Sequence, residues 1–188
     1  MFSKAFIATL LASTVAASPV VARADGDAFS LLSIRSGTDL QNQVITANGG
    51  ALWIGKETSS SCPLDTGCPA GTATTFHAGS GGLGLNVAVP GGQQVFIAPS
   101  SAVSFTQPHS GNTEGGKTQG WTYTAGKNGG FGSLSFPDYG FIACASTEGA
   151  GIYQIFATPG GSATGNCTGI AVATVPYTEE GASAYEYS

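Results

Sequence analysis

The sequence predicts a single all-β domain, and three observations support this prediction. Short β-rich runs recur along the chain, and several alternate apolar with polar residues, as in GWTYTA, GSLSF and QVFIA. Between the runs stand breakers such as NGG, VPGG, KNGG and TPGG, which supply the backbone conformations that tight turns require. Hardly any segment beyond the N-terminal region has helical periodicity.

The β-rich runs can be placed along the chain as follows: 29–35, 43–47, 51–55, 74–78, 84–89, 94–98, 103–107, 120–125, 132–136, 140–145, 152–157 and 169–175. About twelve short antiparallel strands in one domain fit a β-sandwich or a closed barrel. Twelve strands also divide into three groups of four, the count of a β-trefoil. We therefore expect a β-trefoil-like fold in preference to a β-sandwich, although no residue-level threefold repeat is obvious.

The N-terminal region has the three-part layout of a secretory signal peptide. Lys4 precedes an apolar run that ends in small residues, and the small-residue rule allows cleavage after Ala17 or after Ala24. The run is shorter than the roughly 18 apolar residues of a membrane span. We therefore expect 1–24 to be a signal peptide with a short leader and 25–177 to be one β domain. Residues 178–188 are expected to form a loosely ordered tail.

Charge is scarce and mostly negative. Only 9% of residues are charged, against about 25% in typical proteins, while 41% are hydrophobic, enough to build a core. Removal of 1–24 would delete two of the six cations and no acid, so the formal charge becomes 4 − 11 = −7. Phosphate backbones and anionic membranes require clustered Lys and Arg. The composition therefore excludes nucleic acid and membrane surfaces as expected partners.

Four cysteines remain after the expected cleavage: Cys62, Cys68, Cys144 and Cys167. An even number in an exported chain indicates two disulfides, and four cysteines allow three pairings. Their spacing is not that of a zinc site. Asn166, in the sequence Asn166-Cys167-Thr168, is the only candidate for N-glycosylation and marks a surface loop if it is modified.

No catalytic constellation is apparent. Secreted glycosidases use a pair of carboxylates, but the candidates here lie in or beside predicted turns without a distinctive spacing: Asp39, Glu57, Asp65, Glu114, Asp138 and Glu148. His77 lies on a predicted strand and His109 in a polar loop, and neither belongs to a metal-ligand pattern. No nucleophile elbow is present. We expect no enzymatic activity, no metal and no cofactor.

Aromatic side chains could stack on sugar rings if they are exposed. The candidates are Trp53, Trp121, Tyr123, Tyr139, Tyr153 and Tyr177. Because Trp53 and Trp121 lie inside strand patterns, we expect both to pack in the protein interior.

Several ordered blocks resemble the phialide-development cell-wall proteins of filamentous fungi, the PhiA-like family. The blocks are FSLLSIRSG, LWIG, SSSCP, TQGWTY, FIACAS, NCTGIAVATV and the ending YEYS. The resemblance covers essentially the whole mature chain. It implies a secreted protein of the hyphal and spore wall, linked with phialide and conidium development, and some members are IgE-binding antigens. No enzymatic activity is implied.

The resemblance also bears on the cysteines. Cys62, Cys144 and Cys167 match family positions, but the family tends to place its fourth cysteine in the C-terminal block, where this chain has 184–186. Here the fourth is Cys68. This departure suggests that Cys62 pairs with Cys68 and Cys144 with Cys167.

The leading hypothesis is therefore a secreted, non-catalytic cell-wall protein with a structural or developmental role. Wall polysaccharide and other wall proteins are its possible partners. The alternatives are a secreted carbohydrate-binding module that uses exposed aromatics, a secreted hydrolase and a secreted effector.

Overall fold

The computed structural model describes residues 27–188, so the expected signal peptide and both cleavage sites lie outside the described residues. This part of the chain is all-β; it has no helix, and therefore none long and apolar enough to cross a membrane. Its strands are β1 (Phe29–Ile34), β2 (Gln43–Asn48), β3 (Ala51–Ile54), β4 (Ser60–Ser61), β5 (Phe76–Gly79), β6 (Gly82–Leu85), β7 (Gln93–Ile97), β8 (Val103–Phe105), β9 (Thr122–Thr124), β10 (Gly132–Ser135), β11 (Tyr139–Ala145), β12 (Tyr153–Pro159), β13 (Cys167–Pro176) and β14 (Glu186–Tyr187).

The main sheet closes on itself. Its strands pair antiparallel in a ring that runs β1, β5, β6, β7, β8, β3, β12, β11, β13 and back to β1. Strand β2 pairs with both β1 and β3, and the β10–β9 hairpin extends from β13. A separate two-stranded sheet joins β4 to β14. Closure leaves the ring strands without the free edges that promote aggregation.

Strand alternation places the core inside the ring. In β1 the side chains of Phe29, Leu31 and Ser33 are buried, whereas the residues between them are half-buried and face outward. Inward-facing residues of the other strands complete one apolar cluster, which includes Ile45, Leu52, Ile54, Phe76, Leu83, Leu85, Val95, Val103 and Ile155. The cavity left among them has a volume of about 10 Å³, which is too small for an organic ligand.

The all-β prediction is confirmed, but the number and limits of the strands differ from those expected. The two-residue strands β4 and β14 were not predicted, because so short a strand shows no alternation in sequence. Strand β5 begins at Phe76, two residues after its predicted start at 74. Strand β6 begins at Gly82, two residues before its predicted start at 84. The pairings do not confirm a preference for a β-trefoil over a β-sandwich.

The turn chemistry expected from the breakers is present. Gly49 and Gly50 form the turn of the β2–β3 hairpin with φ of 60° and 75°, and Gly160 and Gly161 follow β12 with φ of 63° and 70°. Only glycine adopts such conformations at little cost. These positions therefore fix where the hairpins reverse.

The expectation of a loosely ordered tail over 178–188 needs a correction at the end of the chain. Ala184 and Tyr187 have no exposed surface. The Tyr187 N–H donates to Gln93 Oε1 at 2.7 Å, and Gln93 Nε2 donates to the Tyr187 carbonyl at 2.9 Å. The polar composition of the segment predicted exposure, but the buried side chain of Tyr187 holds its end against the domain.

Candidate functional site

A groove of about 600 Å³ lies beside β5, β6 and β7. His77 on β5 lines it and stands directly opposite Gly84 on β6. The imidazole lies against Gly84, since a Cβ at that position would be 2.5 Å from His77 Nε2. Partial burial lowers the pKa of His77 below its ordinary value of 6.5. This shift favours the neutral form of the ring.

The other polar side chains of this groove are amides and a hydroxyl, from Ser80, Gln93, Gln94 and Gln119. Ala78, Leu83 and several glycines complete the lining, and no carboxylate or cysteine is among the lining residues. A histidine that acts as a general base needs a nucleophile and an orienting group within hydrogen-bond reach. The groove can offer hydrogen bonds to an uncharged ligand, but its lining does not assemble an acid–base pair.

The candidate carboxylates belong to different connections of the fold. All six of these side chains are exposed: Asp39, Glu57, Asp65, Glu114, Asp138 and Glu148. Glu114 and Asp138 occupy turn positions with φ of 54° and 63°, and Glu148 forms an ion pair with Lys56 at 2.7 Å. In residues 27–188 no group of three His, Cys, Asp or Glu could hold a metal ion. His109 is exposed on a loop, also with positive φ.

Trp53 lies on the outer side of β3 and is covered by its neighbours. It is 8% exposed, and its Nε1–H donates to the carbonyl of Asn48 at 2.7 Å. The Lys56 ammonium lies 3.9 Å from the ring centroid, a cation–π contact, and the same ammonium binds Glu148. One face of the indole is therefore occupied and is not available to a sugar ring.

Trp121 lies in the apolar core. It is 4% exposed. Its ring lies nearly parallel to that of Phe141, with the centroids 6.2 Å apart, and contacts the ring of Phe136 edge-on. Its Nε1 is buried without a hydrogen-bond partner among the described residues. Both tryptophans are buried, as predicted, but only Trp121 packs in the apolar core, because Trp53 is covered on the outer side of β3.

The predicted tyrosines also have neighbours. Tyr123 stacks on Phe29 with a centroid separation of 4.3 Å, and Tyr153 packs against the core. Tyr139 contacts Phe136 edge-on. The Tyr177 hydroxyl donates to Glu179 at 2.8 Å, and this bond is the main reason why the pKa of Tyr177 is raised above its ordinary value of 10.0.

The aromatic residue that sequence reasoning missed is Phe131. Its side chain is 60% exposed, and it stands at the end of the Lys127–Gly130 turn, immediately before β10. The KNGG breaker that precedes it predicts a tight turn, and the tip of a hairpin is where an aromatic side chain has no neighbouring layer to cover it. Phe131 is the best aromatic platform that the described surface offers.

Both cysteine pairs are close enough to be bonded. Cys62 and Cys68 form a disulfide with a Cα separation of 6.0 Å, and Cys144 and Cys167 form one with a Cα separation of 3.9 Å. The second bridge joins residues directly opposite each other on β11 and β13. These are the two pairs that the departure from the family pattern suggested.

Asn166 is exposed in the connection that precedes β13. Its Nδ2 donates a hydrogen bond to the carbonyl of Ala145 at 2.7 Å. An exposed asparagine is accessible to a glycosyltransferase, and its modification stays a prediction.

Comparison with known proteins adds the family. A family model described as "PhiA-like secreted protein" matches residues 29–188. An uncharacterized secreted protein of Arthroderma benhamiae is 37% identical over 119 residues, which are 59% of this chain and 57% of that protein. The chain thus spans a little over half the length of this curated relative. No solved structure matches the chain.

Proposed function

Because the chain belongs to the PhiA-like secreted protein family, we propose that it is a non-catalytic fungal cell-wall protein with a structural or developmental role in phialide and conidium formation. The observation that supports this most is the extent of the family match, which spans nearly the whole described fold. The chain is a secreted protein, as are the family and its relative in Arthroderma benhamiae. Residence in the wall and the developmental role are the proposal.

The arrangement of the titratable side chains supports a role without catalysis. The candidate carboxylates are exposed and lie on separate connections, and the groove that contains His77 has no carboxylate in its lining. Retaining glycosidases place their two carboxyl groups about 5–5.5 Å apart across one bond. A cleft with that property would be the strongest argument against the proposal.

The fold suits a protein that must persist outside the cell. The ring of strands is closed, two disulfides link segments of the chain, and the C-terminus is packed beneath Gln93. Disulfides persist in oxidising surroundings and restrict the unfolded chain. Such a domain can serve as a durable component of an extracellular matrix.

Carbohydrate binding is the second candidate, and it is compatible with the first. Phe131 is exposed at a hairpin tip, and it adjoins strands whose outer side chains are uncharged. The proposed wall protein would bind wall polysaccharides or other wall proteins. We do not expect it to bind nucleic acid or membranes.

Fractionation of the fungus that encodes the chain would test the proposal. Cultures should be separated into medium, detergent extract and washed walls, and the protein quantified in each with an antibody. We expect most of it in the washed walls, with release by glucanase, chitinase or reducing agent identifying the mode of attachment. Recovery almost entirely in the medium would contradict residence in the wall.

A further inference from the structure

Five neighbouring strands present one continuous outer surface. In the sheet they follow the order β2, β1, β13, β10 and β9. Residues directly opposite each other in antiparallel strands have their side chains on the same face. The pairings therefore place one row of outward side chains across all five strands: Val44, Leu32, Ala173, Ser133 and Thr124.

The rows on either side continue the same chemistry. Ile34 pairs with Ala171 and Ser30 with Val175, while Ser135 pairs with Thr122. We call the whole set the uncharged face: Ser30, Leu32, Ile34, Val44, Thr122, Thr124, Ser133, Ser135, Ala171, Ala173 and Val175. None of these residues can carry a charge at any ordinary pH, in a protein whose formal net charge is −5.

The uncharged face is open to solvent at its two sides, whereas Ala173 at its centre is only 5% exposed and the β1 residues of the face are half-buried. Val44 is 51% exposed, and the outward residues of β9 and β10 are exposed as well. Phe131, 60% exposed, immediately precedes β10 at one border of the face. The half formed by β2, β1 and β13 is mainly aliphatic, and the half formed by β10 and β9 presents hydroxyls.

The chemistry of the face selects among possible occupants. Nucleic acids and anionic membranes bind through Lys and Arg, which the face does not contain. Protein interfaces concentrate their binding energy in Trp, Tyr and Arg, which are also missing from it. A charged ligand would lose hydration against such a surface and gain no compensating partner.

An uncharged polysaccharide has the complementary chemistry. Its hydroxyls donate and accept hydrogen bonds as those of Ser and Thr do, and the C–H faces of its rings pack on aliphatic and aromatic side chains. Strands about 4.8 Å apart make the five-strand row about 19 Å wide, which suits several linked sugar rings rather than one.

We propose that the uncharged face binds an extended, uncharged polysaccharide, with Phe131 stacking on a sugar ring at its border. This rests on the proposed function, because it names the wall component that the protein would contact. It assigns the binding to the outer side of β2, β1, β13, β10 and β9 and not to the groove beside His77.

Co-sedimentation of the purified, secreted protein with insoluble chitin and with insoluble β-1,3-glucan tests this. One variant combines Ala171→Lys with Ser133→Lys, which places two charges on exposed positions of the face. The matched control combines Ala163→Lys with Ser162→Lys, the same changes at exposed positions of the β12–β13 connection. Phe131→Ala tests the aromatic contribution, and thermal melting of each variant shows that it is folded.

We expect the wild type to bind at least one of the two polysaccharides, the face variant to bind about tenfold more weakly, and the control to bind as the wild type does. Equal loss in both double variants, or binding to neither polysaccharide, would overturn the inference. So would sedimentation only with phosphatidylserine vesicles. If native walls retain the protein while purified polysaccharides do not, the proposal that the face binds polysaccharide is wrong and the proposed wall function stands. If walls do not retain it either, both are wrong.

Discussion

The hydroxyl of Tyr187 makes several hydrogen bonds in the interior, and its removal gives a measurable prediction. Tyr187 Oη donates to the carbonyl of Ala73 at 2.7 Å and accepts from the N–H of Thr75 at 3.3 Å. A bond of 2.7 Å joins it to Ser183 Oγ. Tyr187→Phe would leave buried partners unsatisfied, and each such group costs about 1–3 kcal/mol.

We therefore expect Tyr187→Phe to lower the free energy of unfolding by about 1–3 kcal/mol. For a domain of this size the Tm falls by about 2–4 °C per kcal/mol, so the expected loss is about 2–12 °C by differential scanning calorimetry. Tyr177→Phe is the matched control, because the Tyr177 hydroxyl bonds Glu179 at the surface, where such a bond contributes little. Equal melting temperatures for Tyr187→Phe and the wild type would refute the reasoning.

The same residue predicts a pH dependence. Burial raises the pKa of Tyr187 above its ordinary value of 10.0. Above about pH 10 the unfolded chain releases this proton while the folded chain keeps it, so stability falls as pH rises toward the folded pKa. The difference in Tm between the wild type and Tyr187→Phe should consequently narrow above about pH 10. A difference that widens there would contradict this sign.

The remaining predictions concern the disulfides, the tryptophans and activity. Replacing Cys144 and Cys167 by Ser should lower the Tm more than replacing Cys62 and Cys68. The first bridge closes a loop of 23 residue steps and the second a loop of 6, and restriction of the unfolded chain then stabilises the fold by about 3 and about 2 kcal/mol respectively. A larger loss from the shorter loop would contradict the chain-entropy argument. Iodide should quench the fluorescence of Trp53 and Trp121 weakly, since they are 8% and 4% exposed, and quenching like that of free tryptophan would show the burial to be wrong. No turnover of chitin, β-1,3-glucan or peptide is expected, and activity that disappears on mutation of one of the exposed carboxylates would overturn the non-catalytic proposal.

Local chemistry in the sequence was enough to predict the type of fold. Strand alternation, as in GSLSF, and turn glycines, as in NGG and TPGG, are patterns that can be read from a few consecutive residues. The structure has strands and turns where these patterns occur. The closed ring depends instead on long-range pairings, such as Phe29 with Phe76. No local pattern encodes which strands meet, so the strand count allowed a closed barrel among other folds but did not predict the order of the strands in the ring.

The candidate site was the least predictable part, for the same reason. The exposure of Phe131 and the burial of Tyr187 both depend on what lies opposite them in space. Sequence periodicity marked Trp53 and Trp121 as buried because they lie inside strands. It gave no comparable information for residues at a hairpin tip or near the chain terminus.

The central claim is a wall function without catalysis, and complementation tests it most directly. The gene would be deleted in the fungus that encodes it and replaced by a variant with amides at Asp39, Glu57, Asp65, Glu114, Asp138 and Glu148. Conidia would then be counted in each strain. We predict that deletion reduces conidium formation and that the variant restores it fully, as the wild-type gene does. A variant that is folded and retained in the wall, yet fails to restore conidium formation, would contradict the account.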